Sequence, residues 1–170
     1  MKQREYRMYG LVPYQLTGMQ GGIQFMHAAI EYANEFSDTP EYYRWSRYDK
    51  TVIVYNGGTT NTNPDAQGTL NQHLTTLLEN GITSLAKFYE PDLGDQMTAI
   101  VFLVDDRVWD KENYPDYQIP YEDLDRYKSN GKIVENLPSY KAWVENFSED
   151  PSAAAKIVFL RTFLKQFRFA

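Results

Sequence analysis

The sequence has no cysteine, which excludes disulfides, thiolate nucleophiles and zinc–cysteine sites and leaves the redox compartment undecided. It also lacks a long apolar run. No stretch approaches the roughly 20 residues of a membrane span, and the opening MKQREYRMYG has no apolar core of the kind a secretion signal needs. The expectation is a soluble cytoplasmic protein without a membrane partner. Positive charge is scarce: 17 Lys and Arg against 23 Asp and Glu leave a net charge of −6. Extensive nucleic-acid binding is not expected, because neutralising many phosphates takes a clustered basic surface. Histidine is limited to His27 and His73, and there is no internal repeat or low-complexity tract. Aromatic residues are abundant, with 14 Tyr, 9 Phe and 3 Trp. They suit stacking platforms for bases and also the filling of cores. A chain of 170 residues suits one compact domain with an appendage.

The most informative stretch is LVPYQLTGMQGGIQFMHAAIEYANEF, Leu11 to Phe36. Val12, Tyr14 and Leu16 alternate as in a strand, expected from Tyr6 or Arg7 to Gln15. The pattern breaks at Thr17-Gly18 and restarts with a helical period, predicting a helix from Gln20 or Gly21 to about Phe36. Ile23, Met26, Ala29, Ile30 and Ala33 form its apolar face, with Gln24, His27 and Glu31 to the side. Gly18, Gly21 and Gly22 at the helix start admit two readings. They shape a tight turn and close packing, or they leave the first N–H groups open to an anion, which the helix dipole favours.

Downstream, Thr39 and Pro40 suit a helix cap and first position, predicting a short helix to Arg47. Its Tyr42, Tyr43, Trp45 and Tyr48, with Arg44 and Arg47, make an aromatic-cationic cluster. Lys50 to Asn56 reads as a strand. GGTTNTNPDAQG reads as a long loop in which Thr59, Thr60 and Asn61 offer uncharged hydrogen-bonding groups. Thr69 to Asn80 predicts an amphipathic helix with Leu70, His73, Leu74, Leu77 and Leu78 on or beside its apolar face, stopped by Asn80-Gly81. His73-Leu74-Thr75 matches the H-x-T element of two-histidine phosphodiesterases, but His27-Ala28-Ala29 does not supply the second element. Two further strands are expected over Ser84–Tyr89 and Thr98–Val104. The turn between them carries Glu90, Asp92 and Asp95 without the spacing of a calcium loop, so no metal site and no cofactor are expected. Asp105 to Asp150 reads as an extended wrap anchored by Trp109, Tyr114, Tyr117 and Tyr121. Leu137-Pro138-Ser139 starts a short helix bearing Tyr140, Trp143 and Phe147. Ser152 caps a final helix with Ile157, Leu160, Phe163, Leu164 and Phe167 in register and Lys156, Arg161, Lys165 and Arg168 on a solvated basic side.

Gln24-Phe25-Met26-His27-Ala28-Ala29 resembles the Q-x-x-H-A-A segment of the type 2 peptidyl-tRNA hydrolase family. Leu70 to Val104 repeats that family's order of helix, glycine, short strand, acidic turn and final strand. With its L-x-G-x-Q-x-G-I-Q-x-x-H-A opening and E-P-D-L…T-A turn, the chain resembles divergent phage-borne relatives of the family, over about residues 6 to 104, with a weaker echo in LRTFLKQFRFA. Resemblance and strand pattern together imply an α/β fold. The expected form is a single three-layer domain with a mixed sheet of four or slightly more strands flanked by helices. Residues 1–104 would form that domain, and 105–170 a Tyr-rich extension ending in a helix packed on it. The resemblance implies hydrolysis of peptidyl-tRNA or a related nucleotide ester or phosphodiester, with His27 or Glu90 as base. Two departures bear on that activity: Gly18 and Gln20 stand where the hydrolases carry lysines, and Glu90, Pro91 and Asp92 replace an Asp-Ala-Gly turn.

The leading expectation is therefore a non-catalytic protein that holds a nucleotide through Gly18, Gln20, Gly21, Gly22, Gln24, Thr59, Thr60, Asn61, Glu90 and Asp92. A phage protein of this build would sequester a nucleotide signal of host defence, such as a cyclic dinucleotide, in the host cytoplasm. A protein-interaction module is the further alternative, and the family resemblance implies a homodimer.

Overall fold

The computed structural model describes residues 3–16, 18–125, 137–147 and 151–170, the side chain of Pro151 excepted. Thr17 in the first glycine turn, and 126–136 and 148–150 of the expected wrap, lie outside the described residues. Four strands, β1 (Tyr6–Pro13), β2 (Thr51–Gly58), β3 (Leu85–Glu90) and β4 (Gln96–Asp105), form one sheet in the order β2-β1-β4-β3. Strands β1 and β2 run parallel, with Leu11 opposite Tyr55, whereas β1–β4 and β3–β4 are antiparallel. A parallel pair needs a long crossover. It is supplied by α1 (Met19–Phe36), α2 (Pro40–Arg44) and a π-helical turn at Trp45–Asp49. The other α-helices among the described residues are α3 (Thr69–Glu79), α4 (Pro138–Phe147) and α5 (Pro151–Leu164). No helix among the described residues is long and apolar enough to cross a membrane.

Alternation along β1 separates the layers. Met8 and Val12 pack with Phe25, Ala28 and Tyr32 of α1 and with Ala86, Ala99 and Val101. Gly10 lies on this same face, and a Cβ there would come within 2.2 Å of the Phe25 ring. The missing side chain is what lets α1 sit down on the sheet. The opposite face carries Tyr9 and Leu11. Tyr9 packs against Phe102 and Tyr55, with ring centroids 6.4 and 5.8 Å away, and Leu70 and Leu77 of α3 are fully buried there. The C-terminal tail completes this face. Phe167 and Phe169 pack on Tyr55 at 5.9 and 5.3 Å, while Asn56 N donates to Arg168 O and Ala170 N to Val54 O. The free edge of β2 is thus partly paired, as exposed strand edges commonly are. His73 meets Phe167 edge-on at 4.8 Å, and burial lowers its pKa below the ordinary 6.5, since an imidazolium loses hydration there.

Several expectations are corrected. The expected apolar face of α1 is only partly buried: Ile23, Met26 and Ile30 are 47 to 54% exposed, Ala29 and Ala33 are half-buried, with Ala29 against the core, and Met19 beside them is exposed. The helix buries Gly21, Gln24, Phe25, Ala28 and Tyr32 instead, because the aromatic residues and the hydrogen-bonded Gln24 fill the space over the sheet. Strand β2 continues through Gly57 and Gly58, where the sequence suggested a loop. A Cβ at Gly57 would meet Leu70 at 2.7 Å and Leu11 at 3.1 Å. Leu78 is exposed. The helix capped by Thr39, whose hydroxyl accepts from Tyr42 N, widens after Arg44 into the π-helical turn.

The chain divides into two compact units: Met1–Asp106 together with Leu164–Ala170, and Arg107–Phe163. In the second unit Arg161 is buried, against the expectation of a solvated basic face. Its guanidinium donates to the carbonyls of Arg107 and Tyr114, pairs with Asp116 at 2.8 Å and lies over the Phe147 ring. A buried charge is tolerated when its donors are met in this way. Tyr117, Tyr140, Trp143 and Phe147 form a contiguous ring cluster. Tyr121, expected as an anchor, is 89% exposed. Ser152 lies inside α5 rather than capping it, and Phe167 lies beyond its end.

Replacing Gly10 by Ala forces the Phe25 ring from its place. We expect a loss of about 1–3 kcal/mol, read as a lower denaturant midpoint at unchanged slope.

Candidate functional site

Because β1 and β2 are parallel and β3 and β4 form an antiparallel hairpin beside them, one end of the sheet collects three connections. They are residues 14–18 before α1, 59–68 before α3, and the 3-10 turn Pro91–Leu93 with its flanks. In open α/β sheets this carboxyl end of parallel strands is where ligands bind. All of the sequence-predicted site residues belong to these connections or to the first turns of α1.

At the centre of this end stands the Gln24 side chain, which is buried. Its Nε2 donates to Glu90 Oε2 at 2.7 Å, and the Thr98 hydroxyl donates to its Oε1 at 2.5 Å. Thr98 reaches α1 because β4 bulges: Phe88 pairs with Ala99 but Tyr89 with Met97, leaving Thr98 as the extra residue. A bulge re-aims a side chain in this way. Thr60 adds to the network by donating to Met97 O at 2.6 Å. Glu90 also holds its own turn, its Oε1 accepting from Asp92 N and its backbone carbonyl from Asp95 N. Thr98 was missed in the sequence reading. Its signal was a hydroxyl inside the otherwise apolar run MTAIVFLV, since buried polar groups are normally partnered.

The two helix starts at this end differ. The α3 start is closed: Thr59 O accepts from Leu70 N at 2.9 Å, and Thr59 Oγ1 accepts from Thr69 N at 3.0 Å. Asn61 is likewise spent within its loop, donating to Ala66 O and accepting from Asn63 N. The α1 start is open. Gly18, at φ +49°, precedes the helix, no side chain among the described residues caps it, and there is no acid in the first turn. Gly18 and Gly22 have free space where a side chain would stand, whereas Gly21 is buried over Val12 and the Leu16 carbonyl. Gln20 and Asp92 are exposed. A cavity of about 220 Å³ adjoins this start, lined by Pro13, Tyr14, Leu16, Gly18, Asn56, Phe169 and Ala170.

The structure therefore divides the predicted residues by their present bonds. Gln24, Thr60, Thr59, Asn61 and Glu90 are engaged with the protein, while Gly18, Gln20 and Gly22 bound the open helix start. His27 lies in the second turn of α1, its ring 4.5 Å from that of Phe88, and its Nδ1 is buried with no hydrogen-bond partner among the described residues. No group of three or more His, Cys, Asp or Glu residues able to hold a metal ion occurs among the described residues. Comparison of the chain with protein-family models, with curated proteins and with solved structures finds no match.

Substituting Gln24 by Leu leaves the Glu90 carboxylate and the Thr98 hydroxyl without their amide partner. A loss of about 1–3 kcal/mol is expected. Thr98→Val should cost much less in the Gln24→Leu background than alone, so a double-mutant cycle on unfolding free energies should return a clear coupling.

Proposed function

We propose that this protein binds a nucleotide without cleaving it, the phosphate resting on the N-terminus of α1. The observation carrying this reading is the contrast between the two helix starts at the same end of the sheet. That of α3 is satisfied by Thr59, while that of α1 has, among the described residues, no side-chain cap, no acid and open space at Gly18 and Gly22. The positive end of an 18-residue helix without a side-chain cap among the described residues favours an anion. Gln20 is the exposed side chain best able to orient it, and the adjoining cavity of about 220 Å³ suits a phosphate with part of its sugar. The remainder of a larger ligand, such as a cyclic dinucleotide, would extend over Tyr14 and the acidic turn at Asp92.

Cleavage is the weaker reading. A base needs a lone pair within reach of the attacking water, and Glu90 is held by Gln24 and by Asp92 N. His27 packs on Phe88 with Nδ1 buried. Gly18 and Gln20 supply no positive charge where the resemblance would call for lysine. As a phage-type protein acting in the host cytoplasm, the chain would sequester a nucleotide signal of host defence.

The test is to incubate the purified protein with cyclic dinucleotides, adenosine-ribose nucleotides and a peptidyl-tRNA, and to analyse what is recovered after denaturation. Intact nucleotide in stoichiometric amount is the expected result, and turnover of the peptidyl ester would overturn it. Gly22→Glu should abolish binding while leaving the unfolding midpoint unchanged or higher, because an acid in the first turn complements the dipole and meets no neighbour.

A second reading, association with another copy of the chain, is favoured by the exposed stripe Met19, Ile23, Met26 and Ile30 of α1. Its spacing of four, three and four suits helix pairing. In an antiparallel pair about a two-fold axis, Glu31 and Glu35 of one helix would approach the uncapped start of the other. Sedimentation should then show a dimer that Ile23→Lys converts to monomer; a monomeric parent chain would remove this reading.

A further inference from the structure

The end of the sheet opposite the α1 start carries a second arrangement that the proposed function does not use. Helix α2 runs directly into the π-helical turn Trp45–Asp49, closed by Lys50 N donating to Trp45 O at 2.8 Å. The turn is held firmly. Trp45 Nε1 donates to Thr51 O at 2.9 Å, and Asp49 accepts from Tyr6 N at 2.8 Å and pairs with Arg44 at 2.9 Å. In an α-helix, residues five apart lie about 140° apart around the axis. The wider turn brings Tyr43 and Tyr48 together, their ring centroids 6.5 Å apart and edge to face.

Between them opens a cavity of about 580 Å³ lined by Tyr43, Ser46, Arg47, Tyr48 and Lys50. Its wall contains two cations, two phenol rings and a hydroxyl, and no carboxylate. Asp49 neutralises Arg44 but not the other two cations: Arg47 and Lys50 have no acidic partner among the described residues. The Arg47 guanidinium lies 5.0 Å over the Tyr43 ring, and Arg44 lies 5.1 Å over that of Tyr48. Tyr43 and Tyr48 nevertheless stay 52 and 62% exposed. Lys50 has a left-handed backbone, φ +50°, a conformation uncommon for any residue but glycine, asparagine or aspartate. It is the left-handed cap that ends the turn, a position commonly filled by glycine, and here it brings a positive charge to the cavity wall.

We infer that this cavity is a second ligand site, for a mononucleotide whose phosphate lies between Arg47 and Lys50 and whose base lies on the exposed ring of Tyr48. A bare phosphate would use the two cations but leave most of the volume and both rings idle, and the Ser46 hydroxyl already donates to Tyr43 O. A neutral aromatic compound would leave the two cations unanswered. A long nucleic-acid strand is disfavoured, because the adjoining cavity that shares Tyr43 and Tyr48 carries Asp38 in its wall and the chain is acidic overall. The site is separate from the one at α1. Asp49 binds Tyr6 at the start of β1, and the α1 site lies past Pro13 at its end, on the order of 20 Å away along an extended strand.

The two readings therefore fail separately. The test is calorimetric titration of the Gly22→Glu chain, in which the α1 site is closed, with AMP, adenosine, inorganic phosphate and a short oligoadenylate at fixed salt. One equivalent of AMP is expected to bind, with adenosine and phosphate each weaker by about tenfold or more. Arg47→Ala, Lys50→Gly and Tyr48→Leu should each weaken AMP by about tenfold. Lys50→Gly guards against loss of fold, because glycine relieves the left-handed backbone while removing the charge. Absence of AMP binding up to millimolar concentration, unchanged affinity in Lys50→Gly, or phosphate binding as tightly as AMP would each overturn the site. Binding of the oligoadenylate alone would overturn its assignment to a small molecule.

Discussion

One buried amide joins the elements that meet at the carboxyl end of β1 and β2. Gln24 belongs to α1, yet its two polar atoms are spent on Thr98 of β4 and Glu90 at the end of β3. A buried amide left unpaired would cost more than it contributes when paired, so the three groups constrain one another. The bulge that turns Thr98 toward the helix, the Thr60 hydroxyl on Met97 O and the turn built on Glu90 follow from that constraint. With the amide in place and Phe25 seated over Gly10, the first turn of α1 stands at the carboxyl end of β1 and β2.

That geometry separates groups that hold the protein together from groups left to meet something else. Glu90 and Gln24 look from sequence like a base and a ligand contact, but each satisfies the other. Thr59, in a loop rich in hydroxyls, closes the start of α3. What remains open is the start of α1, where among the described residues no side chain caps the helix and Gly18 and Gly22 have free space beside them. Backbone donors bind anions well and accept no proton, which is the ground for proposing retention rather than hydrolysis. At the other end of the sheet the open groups are side chains, Arg47 and Lys50 beside two tyrosines, spaced by a π-helical turn.

The order of strands and helices in residues 6 to 104 was legible because each element has a clear period or stop. β1 and β2 alternate, α3 ends at Asn80-Gly81, and Thr39-Pro40 starts α2. The faces were less legible. Ile23, Met26 and Ile30 have the spacing of a core stripe, yet they point outward, because Phe25, Ala28 and Tyr32 make an equally good stripe and Gly10 has room for Phe25 alone. Arg161 looks like one of four basic residues on a solvated side. It is buried because the carbonyls of Arg107 and Tyr114, distant in sequence, converge on it.

The sequence by itself determined the absence of thiol chemistry, the acidic balance, the α/β succession and the glycine-rich start of α1. These are properties of composition and of local period, and they need no partner to be read. Tertiary structure alone decided which face of α1 is buried, which polar side chains are already satisfied, and that a bulge brings Thr98 to Gln24. Those outcomes depend on contacts between residues as many as 74 positions apart, where a single register shift exchanges buried for exposed. The glycines at the start of α1 thus acquire their meaning from the sheet: the side chains around them are occupied, while Gly18 and Gly22 keep free space where a side chain would stand.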